Sequence, residues 1–264
     1  MDYLDGPKPR LFAHRGGALE APENTLEAFA AGLAAGCDRL ELDVHATSDG
    51  EVVVLHDEAV DRTTNGSGLV REKSLAEVRE LDAGAAFRAD DGSSPFAGRG
   101  LRIPTLAEVF EAFPGVPLNI EIKQNEPEIE AAVLAVFDRF DARRQCLLAA
   151  EIGAIMERIR VAAPDVASGA SFEDMADFAG RWEENRLDGY RAPGMAFQVP
   201  PEVFGKPLVT GEFVRLAHGF GVEVHVWTID EEAEMERLLG LGVDGLMTDR
   251  PTVAGALYRR LGLR

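Results

Sequence analysis

Three carboxylates and two histidines stand at the ends of short β-like runs in the first half of this sequence. Glu41 and Asp43 lie two apart in the run Arg39 to Val44, so they share a face, with Leu42 opposite. Glu121 and Lys123 pair off in the same way at the end of Val116 to Ile122. Three carboxylates converging on one place repel one another strongly, and a cation is the usual remedy. An all-oxygen donor set favours a hard ion, Mg2+ or Ca2+, over Zn2+. The plainer alternative is a structural ion pair with Lys123 or Arg15. His14, in the run His14-Arg15-Gly16-Gly17, and His56, in His56-Asp57, supply what the carboxylates lack. A hydrolysis needs one group to take a proton and another to give one, and histidine titrates near neutral pH. Two histidines beside charged residues at strand ends, next to the acidic set, favour the metal over the ion pair. Gly16 and Gly17 allow a tight turn whose backbone N–H groups could face an oxyanion. His45, His218 and His225 receive no chemical role.

These groups need a scaffold that brings successive strand ends to one side. β-like runs recur at Leu11 to Ala13, Arg39 to Val44, Val116 to Ile122, Gln145 to Ala149 and Val166 to Gly169. They continue at Met195 to Val199, Val222 to Trp227 and Asp244 to Met247. Most are separated by a helix-period stretch, such as Asn24 to Ala35, capped by Asn24 or Thr25, or Glu231 to Leu239. Alternating β and α units imply a parallel sheet. Eight of them in 264 residues predict an α/β fold, a (β/α)8 TIM barrel whose active site lies at the C-terminal strand ends. An open doubly wound sheet is the alternative, but no GxGxxG or Walker pattern follows a strand. The rhythm breaks after a short extra strand, Glu51 to Leu55. Asp57 to Ile103 lacks a clean βα unit and is rich in Gly, Ser, Asp and Arg, which reads as a small insertion after the second barrel strand. It is expected to rise from the rim and cap the site.

The formal net charge of -19 excludes the basic face that nucleic acid demands. No apolar run is long enough to span a bilayer. The opening MDYLDGPKPR shows no secretory pattern, and Cys37 and Cys146 stand far apart. Both are expected to be reduced and buried, which suits the cytoplasm.

In sequence order, HRGG, APENTLEAF, GCDRLELDVHATSDGEVVVLHD, RTTNGSG, LNIEIK, VHVWTID and GVDGLMTDRP resemble the glycerophosphodiester phosphodiesterases across Phe12 to Pro251. The resemblance implies hydrolysis of a small-molecule glycerophosphodiester to glycerol 3-phosphate and an alcohol. It makes His14 and His56 the acid–base pair, and Glu41, Asp43 and Glu121 the ligands of one Mg2+ or Ca2+. It also implies that Arg15 holds a phosphate oxygen, that Lys123 neutralises phosphate charge and that Trp227 lines the pocket. Pro22, Glu23 and Asn24 read as mainly architectural, and Asp249 as a structural partner to a basic residue. A lysophospholipase D, or a lyase forming a cyclic phosphate, is the alternative within the same superfamily. A lipid tail would call for an apolar face in the insertion, which reads polar. One departure stands at Ala149-Ala150-Glu151, where the family usually carries a Ser-Phe pair, and it bears on which alcohol is preferred.

Overall fold

The computed structural model describes residues 2–264. The strands are β1 Arg10–His14, β2 Arg39–Ala46, β3 Val52–Val54, β4 Leu118–Ile122, β5 Cys146–Ala149, β6 Ala167–Ser168, β7 Ala196–Val199, β8 Glu202–Val203, β9 Lys206–Pro207, β10 Glu223–Val226 and β11 Gly245–Thr248. The helices are α1 Leu26–Ala35, α2 Leu75–Arg79, α3 Leu106–Ala112, α4 Glu130–Phe140, α5 Gly153–Ala162, α6 Phe172–Glu183, α7 Gly211–Gly219, α8 Glu232–Leu241 and α9 Pro251–Arg260. No helix among the described residues is long and apolar enough to cross a membrane.

Eight strands run parallel in the order β6-β5-β4-β2-β1-β11-β10-β7. A parallel bridge between Gly169 and Ala196 joins the two ends, and Met195 N donates to the Ser168 carbonyl at 2.7 Å. The result is the nearly closed TIM barrel that the alternating pattern predicts. β3 folds back antiparallel on β2, and β8 and β9 form a hairpin outside the barrel after β7.

Strand parity divides the buried residues into two layers. Leu11, Ala13, Leu40, Leu42, Ile120 and Leu148 pack outward against the helices. Phe12, Leu147, Ala149, Ala196 and Met247 meet inside the barrel, with Trp227 against them. His14, Glu41, Asp43, Glu121 and Lys123 share the inward parity of their own strands. Residues 57–103 gather a separate apolar cluster, in which Val60, Val70, Val78, Leu101 and Ile103 pack on Val53 and Leu55.

The floor of the barrel is polar. Arg10, fully buried, donates to Glu223 through Nε at 2.9 Å and Nη2 at 2.7 Å. His225 Nε2 lies 2.9 Å from the same carboxylate, and Lys8 Nζ reaches it at 2.8 Å. Burial alone would raise the Glu223 pKa. Hydrogen bonds from His225, Arg10 and Lys8 outweigh it and hold the carboxyl well below its usual range. The stabilisation is therefore complete above about pH 4.3, the ordinary glutamate value, and is lost as pH falls toward the depressed one. Glu223→Gln removes the counter-charge of a buried guanidinium and should cost about 3–5 kcal/mol in denaturant unfolding at pH 7. A loss below about 1 kcal/mol, the scale of an exposed pair, would refute this role.

Candidate active site

Register places the chemistry. His14 stands opposite Glu41 across β1 and β2, and Asp43 stands opposite Glu121 across β2 and β4. Glu41, Asp43 and Glu121 each offer an oxygen, and these lie within 4.8 Å of one another. Glu41 and Asp43 are buried. Burial, with the Asp43 charge beside it, pushes the Glu41 carboxyl up. Burial pushes Glu121 up as well. Burial opposes the charge on Asp43 too, but Lys123 and Arg15 outweigh it and keep that carboxyl low. Lys123 Nζ lies 2.7 Å from Glu121 Oε1 and 3.5 Å from Asp43 Oδ1. Two carboxylates that burial pushes up, a third beside them and a shared position within reach of an oxygen from each fit a divalent cation by donor chemistry and by charge.

Each histidine is tied by one nitrogen to a carboxylate. His14 Nδ1 lies 2.8 Å from Asp249 Oδ1, and His56 Nδ1 lies 2.7 Å from Asp57 Oδ1. A carboxylate at Nδ1 fixes the ring and its tautomer, so each Nε2 is left to face the cavity. Burial works against charge on His14, but Glu41 and Asp249 outweigh it and lift its pKa to about 9. His45 Nε2 donates to the His56 carbonyl at 3.0 Å and braces that turn.

The turn after β1 does two jobs. The Arg15 backbone N–H donates to Glu41 Oε2 at 3.0 Å, and its guanidinium reaches Glu23 at 3.2 Å and Asp43 at 3.3 Å. Gly16 is required at φ +87°, because a Cβ there would lie 2.6 Å from that of Ala28. Its N–H and that of Gly17 donate to Ala13 and His14 carbonyls within the turn. They are therefore spent on the turn and not free for an oxyanion, which corrects that expectation.

Thr25 caps α1, accepting from Ala28 N at 3.2 Å, and this frees Asn24 for another task. Asn24 Nδ2 donates to Asp43 Oδ2 at 3.0 Å, from a left-handed backbone (φ 58°) that asparagine tolerates better than most residues. Architecture is only part of its role. Asn24→Ala should weaken divalent-cation binding by about 10–100-fold, the usual effect of losing a ligand's hydrogen-bond partner. Calorimetric titration with Mg2+ and Ca2+ checks it, and unchanged affinity would count against it.

The cavity these groups face has a volume of about 650 Å3. His14, Arg15, Glu41, His56, Glu121 and Lys123 line its polar side, and Trp227 and Met247 line it as well. Its other side is richer in apolar side chains: Ala149 at the end of β5 and Ala150 after it, Phe172 and Met175 on α6, and Val203 and Leu208 around the β8–β9 hairpin, with Glu151, Ser171 and Glu202 among them. No residue of 57–103 lines it, contrary to the expected cap. That segment buries its apolar side chains on β3 instead, while Arg62 reaches back to Asp57 (Nε, 2.7 Å) and Glu23 (Nη1, 2.7 Å). The insertion thus touches the surroundings of the site through Asp57 on His56 and Arg62 on Glu23.

Sequence reasoning brought together His14, Arg15, Glu41, Asp43, His56, Glu121, Lys123 and Trp227, and all except Asp43 line this cavity. It did not find Asn24 as a partner of Asp43 or Asp57 as a partner of His56. It read Asp249 only as a generic partner. Asp57 adjoins its histidine in sequence and Asp249 ends an inward-parity series from Gly245 and Met247, so both left a signal.

Comparison with known proteins agrees with this geometry. The chain is 35% identical over 261 residues to a glycerophosphodiester phosphodiesterase of Caldanaerobacter subterraneus subsp. tengcongensis, covering 97% of this chain and 100% of that one. It is 29% identical to a human lysophospholipase D, over 90% of this chain and 83% of the other. Among solved structures it resembles an Oleispira antarctica phosphodiesterase in complex with its product sn-glycerol-3-phosphate. The TM-score there is 0.78 at 27% identity, over 96% of this chain and 97% of that one. An Agrobacterium tumefaciens glycerophosphodiester phosphodiesterase gives 0.75 at 26% identity, over 94% and 99% of the two chains. The sequence profile of the Glycerophosphoryl diester phosphodiesterase family matches residues 14–253, and the chain, an enzyme of that activity, belongs to this family.

Proposed function

We propose that this enzyme hydrolyses glycerophosphodiesters to glycerol 3-phosphate and an alcohol in a metal-dependent reaction, with His14 and His56 exchanging the protons. One observation carries the reading: two histidines, each oriented by a carboxylate, line the same cavity as Glu41 and Glu121, which form an acidic cluster with Asp43. Glu41, Asp43 and Glu121 would hold Mg2+ or Ca2+, which when bound supplies positive charge at a phosphate oxygen. Arg15 and Lys123 hold the remaining phosphate charge. His56 Nε2, its Nδ1–H given to Asp57, accepts the proton of the attacking water. His14, whose carboxylate neighbours favour its protonated form, donates from Nε2 to the departing alkoxide as the phosphorus–oxygen bond breaks. The buried free thiols Cys37 and Cys146 support a cytoplasmic setting.

Product analysis with glycerophosphocholine, glycerophosphoethanolamine and a lysophospholipid, with and without EDTA, tests the reading. Glycerol 3-phosphate should appear from the first two only without chelator. Its absence from every diester would refute the proposal.

The apolar wall favours a second reading, lysophospholipid as an additional substrate. Apolar side chains that could take a lipid tail stand on the α6 and β8–β9 side of the cavity rather than in the insertion. A buried Leu side chain contributes about 1.5–3 kcal/mol of transfer energy. Leu208→Ser should therefore lower kcat/KM for lysophosphatidylcholine about tenfold and leave glycerophosphocholine nearly unchanged. Equal losses on both substrates would refute a tail path there.

A further inference from the structure

Outside the cavity, the same side of the barrel carries a cluster of exposed apolar side chains. Eight large ones are exposed among the described residues, and four belong to three segments that follow barrel strands: Ile152 after β5, Phe172 at the start of α6 after β6, and Val203 and Phe204 in the β8–β9 hairpin. Phe172 N donates to the Glu151 carbonyl at 2.9 Å, and Phe172 and Val203 both line the same cavity, which links the three segments. Phe204 is 99% exposed and Phe172 73% exposed. Phe204 also sits at the hairpin tip with φ 52°, a conformation that disfavours a bulky side chain. Exposed apolar side chains scattered singly need no explanation, but a group of them around a cavity mouth marks an interaction surface.

We propose that Ile152, Phe172, Val203 and Phe204 seat this face on a zwitterionic, choline-bearing lipid surface, with the cavity mouth turned toward the lipid. Charge selects that occupant. The same loops carry Glu151, Glu173 and Glu202 against Lys206 alone. An anionic leaflet is held by clustered Lys and Arg, which are missing here. A phosphatidylcholine surface presents cationic choline outermost and suits an acidic rim with an apolar centre. Phe172, Met175, Val203 and Leu208 line the cavity and continue the patch inward between Glu151 and Glu202, so lipid-borne substrate would meet apolar side chains on entering. Docking is independent of which diester is cut, because partition onto lipid is read without turnover.

The test is co-sedimentation of the full chain with phosphatidylcholine vesicles and with vesicles containing phosphatidylglycerol. The wild type should partition onto the former and less onto the latter. Phe204→Asn suits the left-handed tip and lies outside the cavity lining, so it should keep its cleavage of glycerophosphocholine. It should lower the vesicle partition coefficient about tenfold, from the lost burial of one aromatic ring. Four results would overturn the proposal: no partition of the wild type, equal partition of the variant, preference for anionic vesicles, or a wild-type dimer that Phe204→Asn dissolves. The last would make a second copy of this chain the occupant.

Discussion

His14→Ala should lower kcat by about 10²–10⁴-fold, the range for losing a positioned proton donor, and leave divalent-cation affinity nearly unchanged. The division of labour follows from geometry. His14 Nε2 stands 3.8 Å from Glu41 Oε2, close enough to feel its charge but outside the set of three carboxylates. Removing a ring that favours its cationic form takes positive charge away from Glu41, so a metal ion should not bind less well. Single-turnover kinetics at saturating metal, with calorimetry in parallel, separates the effects. Loss of cation affinity as severe as that of a carboxylate variant would make His14 part of the metal site and refute the assignment.

Exhaustive chelation should abolish turnover, and either Mg2+ or Ca2+ should restore it. Metals that prefer thiolate should have no special advantage, because all three donors are carboxylates. Glu121→Gln should weaken cation binding by about 100-fold or more, exceeding the 10–100-fold typical of a ligand's outer partners. Excess metal should recover part of its rate. Stability offers a second readout. A cation at one hundred times its Kd should stabilise the fold by about 2.7 kcal/mol, seen as a rise in Tm that Glu121→Gln reduces. Full activity after removal of bound metal, verified by elemental analysis, would overturn metal dependence outright.

The two variants also separate what each neighbour contributes. Asn24 and Arg15 both reach Asp43, and Arg62 joins Glu23 to Asp57 beside His56. The polar side of the cavity is therefore one connected set of charges, and substitutions within it should not be additive. The apolar wall shares none of these contacts. Changes at Leu208 should move substrate preference without moving cation affinity, which gives a control for the metal-site variants.

The sequence by itself determined the repeating βα units, and through strand parity it determined which side chains point into the barrel. Glu41 with Asp43, and Glu121 with Lys123, are legible because alternation along a strand is a local property. The insertion was legible as an interruption of that rhythm, and His14 and His56 as titratable groups at strand ends. Only the tertiary structure decided who meets whom across the barrel. Asp249 reaches His14 from 235 positions away because β11 closes on β1. Asn24 serves Asp43 because Thr25 takes the helix cap. The cavity wall comes from loops after β5, β6 and β7 rather than from the insertion, which spends its apolar side chains on its own cluster against β3. Periodicity specifies the direction of a side chain relative to its own strand. Which loops then border the mouth depends on ring closure and on where each loop finds apolar surface to bury, and both are long-range outcomes of packing.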